Sequence, residues 1–296
     1  MRKSRFLFLF TFGLLFLSFT ILLAWKVPLR SRQDATFNGQ RAYQDILAQV
    51  AFGPRIPDSP AHKKTITYIQ EELRKAGWRS EIQETTWKGF SVQNIIASRT
   101  NQIPGIILGA HYDSRLIADR DTAPGKNVPV PGANDGASGV AVLLELARTL
   151  SPESLPLQLV FFDAEDNGGL NGREWIMGSR AFAANLTYYP RAVVIVDMVG
   201  DAELNIFIEQ NSSTDLVAGI WGEAAELGYK NYFLQTGKYS MIDDHTPFLE
   251  AGIPAVDIID FDYPFWHTSA DTPDKVSPES LQIVGETLRI WIASQK

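Results

Sequence analysis

Residues 106–113 read IILGAHYD, an unbroken apolar run that ends on a histidine with an aspartate two positions later. A short run rich in Ile and closed by polar groups fits a strand buried on both faces. Three more runs of this kind follow: QLVFFDAE (158–165), AVVIVDMVG (192–200) and PAVDIID (254–260). Helical patterns lie between or after them at Ser138–Leu150, Ser213–Leu227, Asp244–Glu250 and Pro278–Ser294. Upstream, Ala42–Val50 and Ala61–Ala76 read as helices, the second with Ile66, Ile69 and Leu73 at helical spacing and Gly77 as its stop. The loop GPRIPDSP (53–60) separates them, and extended segments at Ser80–Thr86 and Val92–Ser98 follow as antiparallel edge strands. Alternating strands and helices predict an α/β fold: a single three-layer sandwich with a mixed, mostly parallel central sheet flanked by helices.

The acids and histidines gather at the ends of these runs. His111 and Asp113 close the first; Asp163, Glu165 and Asp166 the second; Asp197 the third; Asp257, Asp260 and Asp262 the fourth, shortly before Trp266-His267-Thr268. Asp135 sits in the glycine-rich turn PGANDGASG ahead of a helix. Open α/β sheets bind ligands outside the carboxyl ends of their strands. Carboxylates brought together there repel one another unless a raised pKa, an Arg or Lys partner or a metal cation compensates, and Arg115 and Arg180 are the nearest basic residues in sequence. Read singly, Asp113 and Asp163 are turn or helix caps, or groups that orient a ligand; Asp135 is a capping turn residue; His62, at the start of a helix, is a solvated surface residue. Together, His, Asp and Glu without sulfur suit Zn²⁺ or a related divalent ion.

The protein has no cysteine, which excludes disulfides and thiolate metal sites, and its net charge of −7 carries no basic stripe, which excludes a nucleic-acid surface. Arg2, Lys3 and Arg5 precede an uncharged, mostly apolar run from Phe6 to Trp25 that is long enough to cross a bilayer core. Leu22-Leu23-Ala24-Trp25 offers no small-x-small cleavage site. Residues 1–29 therefore read as a signal anchor, 30–37 as a short polar tether and 38–296 as one catalytic domain. The expectation is a membrane-anchored protein whose domain lies outside the cytoplasm; secretion after cleavage is the alternative.

Taken in order, GAHYDS (109–114), GANDGASGVAVLLELAR (132–148), FFDAED (161–166), MGSRAFA (177–183), VDMVGD (196–201), DDHTPFLEAGIPAVDII (243–259) and WHTSADTPDKV (266–276) carry a family resemblance. The sequence resembles the co-catalytic zinc aminopeptidases and, more closely, their relatives the glutaminyl cyclases. The resemblance implies one zinc held by Asp135, Asp166 and His267, with Glu165 as proton shuttle. In the aminopeptidases a second zinc shares the bridging Asp and adds the positions of His111 and Asp197, so this sequence permits two. Favouring the cyclases, Asp243 precedes Asp244-His245 where aminopeptidases typically have serine, Trp266 precedes the ligand His267, and NGGLNGREWI (167–176) lengthens the loop. The resemblance then gives Asp197 and Asp243 a hydrogen-bonding role at the reacting amide and Trp266 a wall of the substrate pocket. Departures are Asp166 in place of the usual glutamate and the missing cyclase cysteine pair. The implied activity is conversion of N-terminal Gln of a peptide to pyroglutamate with release of ammonia. The competing expectations are aminopeptidase hydrolysis and a noncatalytic membrane-tethered ectodomain.

Overall fold

The structure, a computed structural model, describes residues 36–122, 127–152 and 154–295. The expected anchor and most of the tether lie outside the described residues, among which no helix is long and apolar enough to cross a membrane.

The strands are β1 (Arg79–Trp87), β2 (Phe90–Ser98), β3 (Ile106–His111), β4 (Leu157–Phe162), β5 (Ala192–Asp197), β6 (Ile206–Glu209), β7 (Phe233–Tyr239) and β8 (Ala255–Ile259). Six of them form the central sheet, in the spatial order β1-β2-β4-β3-β5-β8. The β1–β2 and β2–β4 pairs are antiparallel, whereas β4, β3, β5 and β8 run parallel. The sheet is thus mixed and mostly parallel, with the early extended segments at its antiparallel edge as expected.

Strand alternation sorts the core into two layers. Ile106, Leu108, Phe161, Val194 and Val196 face one side, beneath α1 (Gly39–Ala51), α2 (Pro60–Lys75), α3 (Ala137–Thr149), α5 (Thr214–Glu226) and α7 (Pro278–Ser294). Ile107, Val160, Phe162, Val193 and Ile195 face the other, beneath α4 (Met177–Ala184) and the short α6 (Thr246–Glu250). α3 is buried along nearly its whole length and passes so close to β5 that a Cβ at Gly139 would meet the Val196 carbonyl at 2.1 Å. On the first side Arg148 joins the helices, bonding Asp45 of α1 at 2.5 Å and Glu72 of α2 at 2.8 Å.

The backbone leaves β3 toward β4 and returns to β5 on the other side of β3, so the strand order reverses beside β3 and opens a crevice at the carboxyl ends of β3 and β5. The remaining strands, β6 and β7, form a separate two-stranded parallel sheet that the sequence pattern does not predict. β7 is mostly exposed and the pairing is irregular, so neither strand carries the continuous apolar signature of the central sheet. α4 is a second addition: the sequence marks MGSRAFA as a motif and not as a helix.

Candidate functional site

The carboxyl ends of β3, β4 and β5 deliver His111, Glu165-Asp166 and Asp197 to one place. The turn ahead of α3 adds Asp135, and the loop after β8 adds His267. Beyond β4 and β5 the backbone turns through left-handed conformations at Ala164 (φ 53°) and Met198 (φ 46°), and His267 itself has φ 57°. Such conformations are costly for residues with a Cβ and persist where surrounding contacts enforce them.

Asp135 lies between two groups. His111 Nε2 is 3.1 Å from its Oδ1 and 3.0 Å from Asp197 Oδ1. On the other side, His267 Nε2 is 3.8 Å from Asp135 Oδ2 and 2.8 Å from Asp166 Oδ1. In each group, His111–Asp135–Asp197 and Asp135–Asp166–His267, the candidate ligand atoms lie within 4.8 Å of one another, and every member is buried. Ligands of a tetrahedral zinc at 2.0–2.1 Å stand about 3.3 Å apart, so distances of 2.8–3.8 Å bracket what a cation needs.

The electrostatics agree with a cation. Burial, reinforced by Asp135, pushes Asp166 up to about 7. Burial also lifts Asp197 to about 7, with Asp243 and Asp135 adding to the effect. Glu165 rises well above the usual carboxylate range through burial and the charges of Asp166, Asp243 and Asp244. Asp135 Oδ2, Asp166 Oδ2 and His111 Nδ1 are buried without a hydrogen bond. A divalent ion would use the free oxygens and favour the ionised carboxylates. The residues present fit it.

Other groups hold these side chains in place. Asp113 accepts from the Glu165 and Asp166 amides at 3.0 and 3.3 Å and stands 3.5 Å from His111 Nδ1. Through the two amides it holds the loop that carries Glu165 and Asp166. Asp271 accepts from the Asn134 and Asp135 amides and from the Tyr263 hydroxyl, fixing the turn that carries Asp135. Arg55, fully buried, donates to the carbonyls of Tyr112, Pro131 and Gly132. Arg115 donates to the Asp166 carbonyl at 2.8 Å, whereas Arg180 pairs with Glu250 away from the cluster.

One expectation is overturned. His62 is not a solvated surface residue: it is 1% exposed, bonds Asp163 at 2.7 Å and stacks on Tyr112. Its partner is distant in sequence, so a helix-start position gives no sign of it. Nor do the later acids all sit at a strand end. Asp257 lies within β8, fully buried; Asp260 accepts from the Asn205 amide; Asp262 pairs with Lys238 at the surface.

A cavity of about 400 Å³ opens over the cluster. Glu165, Asp166, Asp197 and Asp243 are among its polar lining, and Trp175, Trp266, Phe261 and Met241 among its apolar walls. Trp266 packs against His267 with ring centroids 3.9 Å apart, and Trp175 stacks parallel to the same ring at 5.9 Å. Sequence reasoning finds Trp266 but misses Trp175, Arg55 and Asp271. Trp175 lies in the long loop 167–176 and Asp271 in the motif 266–276, which are the available signals for them; for Arg55 the signal exists only in the fold.

Proteins similar to this one include exopeptidases and glutaminyl cyclases. The protein is similar to a Zn-dependent exopeptidase from Parabacteroides distasonis, at 32% identity and a TM-score of 0.82 over 88% of this chain and 99% of that one. It is similar to a glutaminyl cyclase from Porphyromonas gingivalis, at 33% identity and a TM-score of 0.83 over 88% of this chain and all of that one. It also matches the aminopeptidase YwaD of Bacillus subtilis, at 30% identity over 92% of this chain and 63% of that protein. Residues 94–292 match Peptidase family M28, and the chain belongs to that family, among relatives that include bacterial glutaminyl cyclases and aminopeptidases.

Proposed function

We propose that this protein is a zinc-dependent glutaminyl-peptide cyclotransferase acting on the N-terminal glutamine of peptides. The observation that carries the reading is Asp243, which faces the same cavity as Glu165 and Asp197 and so adds a third acid beside the candidate metal ligands. Zinc bound by Asp135, Asp166 and His267 would supply Lewis-acid polarisation of the γ-amide carbonyl. The α-amine attacks the side-chain amide carbonyl carbon (Cδ), a ring C–N bond forms, and the bond from that carbon to the original amide nitrogen breaks to release ammonia. Glu165 takes the proton from the attacking amine and returns it to the departing nitrogen. Asp197 and Asp243 accept hydrogen bonds from the amide N–H groups and orient the leaving nitrogen. Trp266 and Trp175 wall the cavity and limit access of competing water.

The second reading is aminopeptidase hydrolysis, favoured by the complete His111–Asp135–Asp197 group, which offers a position for a second ion. Glu165 would then act as base toward a water molecule. We place either activity outside the cytoplasm, on a membrane anchor formed by Phe6–Trp25.

The deciding experiment incubates the purified, zinc-loaded full-length protein with a Gln-Xaa-Xaa peptide and a Leu-Xaa-Xaa control, followed by mass spectrometry. Loss of ammonia with the peptide otherwise intact is the expected result. Release of free glutamine or leucine would assign the aminopeptidase activity instead. No product together with background zinc content would leave the noncatalytic ectodomain.

A further inference from the structure

Outside the cation cluster, Glu209, at the end of β6 and 1% exposed, is a buried carboxylate on which several donors converge. Its Oε1 accepts from Asn211 Nδ2 at 2.8 Å and from the Met241 amide at 3.0 Å. Its Oε2 accepts from the Asn211 amide and the Ser212 hydroxyl, both at 3.0 Å, and lies 3.2 Å from His245 Nε2. Burial opposes the charge, yet His245 and the Met241 and Asn211 amides bring the carboxyl below its ordinary range, so it stands as an anion at neutral pH.

The Asn211 and Ser212 contacts are those of a local turn. The other two reach a distant segment, through a hydrogen bond from the Met241 amide two residues before Asp243 and a 3.2 Å approach to His245 Nε2 two residues after it; Asp243 is the acid that lines the cavity. Behind that segment stands Asp257, whose amide donates to Ser212 Oγ at 3.0 Å and whose carboxylate is 3.7 Å from His245 Nδ1. Asp243 thus sits on a short irregular stretch between β7 and α6, held from outside the central sheet by the buried Glu209 carboxylate and, nearer the surface, by Asn211, which donates to the Met241 carbonyl at 3.2 Å and accepts from the Ser240 hydroxyl at 3.1 Å. The β6–β7 ladder is irregular in register and ends at the Glu209–Tyr239 pair; beyond it Glu209 supplies the buried connection to the segment.

We propose that Glu209 is a positioning residue of the site: through Met241 and His245 it fixes where Asp243 meets the substrate. The activity part of this inference rests on the proposed role of Asp243, whereas the mechanical part does not.

The test uses the full-length zinc-loaded protein as wild type, Glu209→Gln, Asp243→Asn and the double variant. Gln keeps the size of Glu209 but presents an NH₂ group to donors that need an acceptor. Turnover of the Gln-Xaa-Xaa peptide by Glu209→Gln should fall in kcat by about 10- to 100-fold, the range for a slightly misplaced group, with KM and zinc content little changed. In the Asp243→Asn background the same substitution should cost almost nothing further, because Glu209 acts through the group already removed. Hydrogen exchange should rise in the peptide covering residues 240–248 and stay unchanged in β3, β4 and β5. Losses that multiply in the double variant, or exchange at 240–248 equal to wild type, would overturn the proposal. A wild-type protein with no turnover would refute the cyclase reading alone, and the exchange measurement would still decide the role of Glu209.

Discussion

Asp166→Asn should have opposite effects on stability with and without metal. In the metal-free protein the Asp166 carboxyl titrates at about 7 rather than its ordinary 3.8, because it is buried beside Asp135. The folded state therefore binds more protons than the unfolded one between those values, and metal-free stability falls as pH rises through that interval. A shift of about three units corresponds to a penalty of up to about 4 kcal/mol at neutral pH. Asparagine removes the charge and keeps the shape, but its own buried amide needs partners. A gain of about 1–3 kcal/mol remains, or several degrees in Tm for a domain of this size. With zinc at a thousandfold its Kd, the wild-type protein gains about 4 kcal/mol that the variant largely forgoes. Thermal unfolding in EDTA and in excess zinc reads both arms. Asp166→Asn should melt above wild type in EDTA and below it in zinc. If the variant is less stable in both, the carboxylates are not held in mutual repulsion awaiting a cation.

Glu165→Gln should lower kcat by about 10²- to 10⁴-fold with zinc content unchanged by metal analysis, as expected for loss of general acid–base catalysis. His62→Leu deprives buried Asp163 of its partner and should cost about 2–4 kcal/mol in denaturant unfolding. Burial lowers the His62 pKa, but the Asp163 bond outweighs it and raises the value above 6.5. The stability from the charged pair is therefore complete below that pH and is lost as pH rises through the higher folded value, so the gap between wild type and variant should narrow there. Asp271→Asn places an NH₂ group against the Asn134 and Asp135 amides; it should cost about 2–4 kcal/mol and weaken zinc binding by calorimetry, through the turn that carries Asp135.

The parallel part of the central sheet is legible in the sequence because β3, β4, β5 and β8 are buried on both faces, so each reads as an apolar run, interrupted in β8 only by the buried Asp257. Of the two cation groups, His111, Asp166 and Asp197 are legible as acids and a histidine at or just past strand ends, whereas Asp135 and His267, on a turn and a loop, are marked by the family resemblance. β7 is not legible, since FLQTGKY is mostly solvated and its pairing with β6 is irregular. The residues that hold the site are hidden by a different cause. Arg55 serves carbonyls some 57–77 positions away, Asp271 serves a turn 136–137 positions away, and His62 meets Asp163 across 101. A buried polar residue is defined by what it faces, and local pattern says nothing about that.

The bridging place of Asp135 makes the two groups thermodynamically interdependent. An ion held at either one would draw on Asp135 and would place positive charge within a few ångströms of the other. Occupancy of the first therefore changes affinity at the second, and reciprocity requires an equal factor in the opposite direction. How many ions the two groups would hold then depends on the free ion concentration as well as on the residues. Stoichiometry becomes a variable of the surroundings, and two relatives with identical ligands can differ in it.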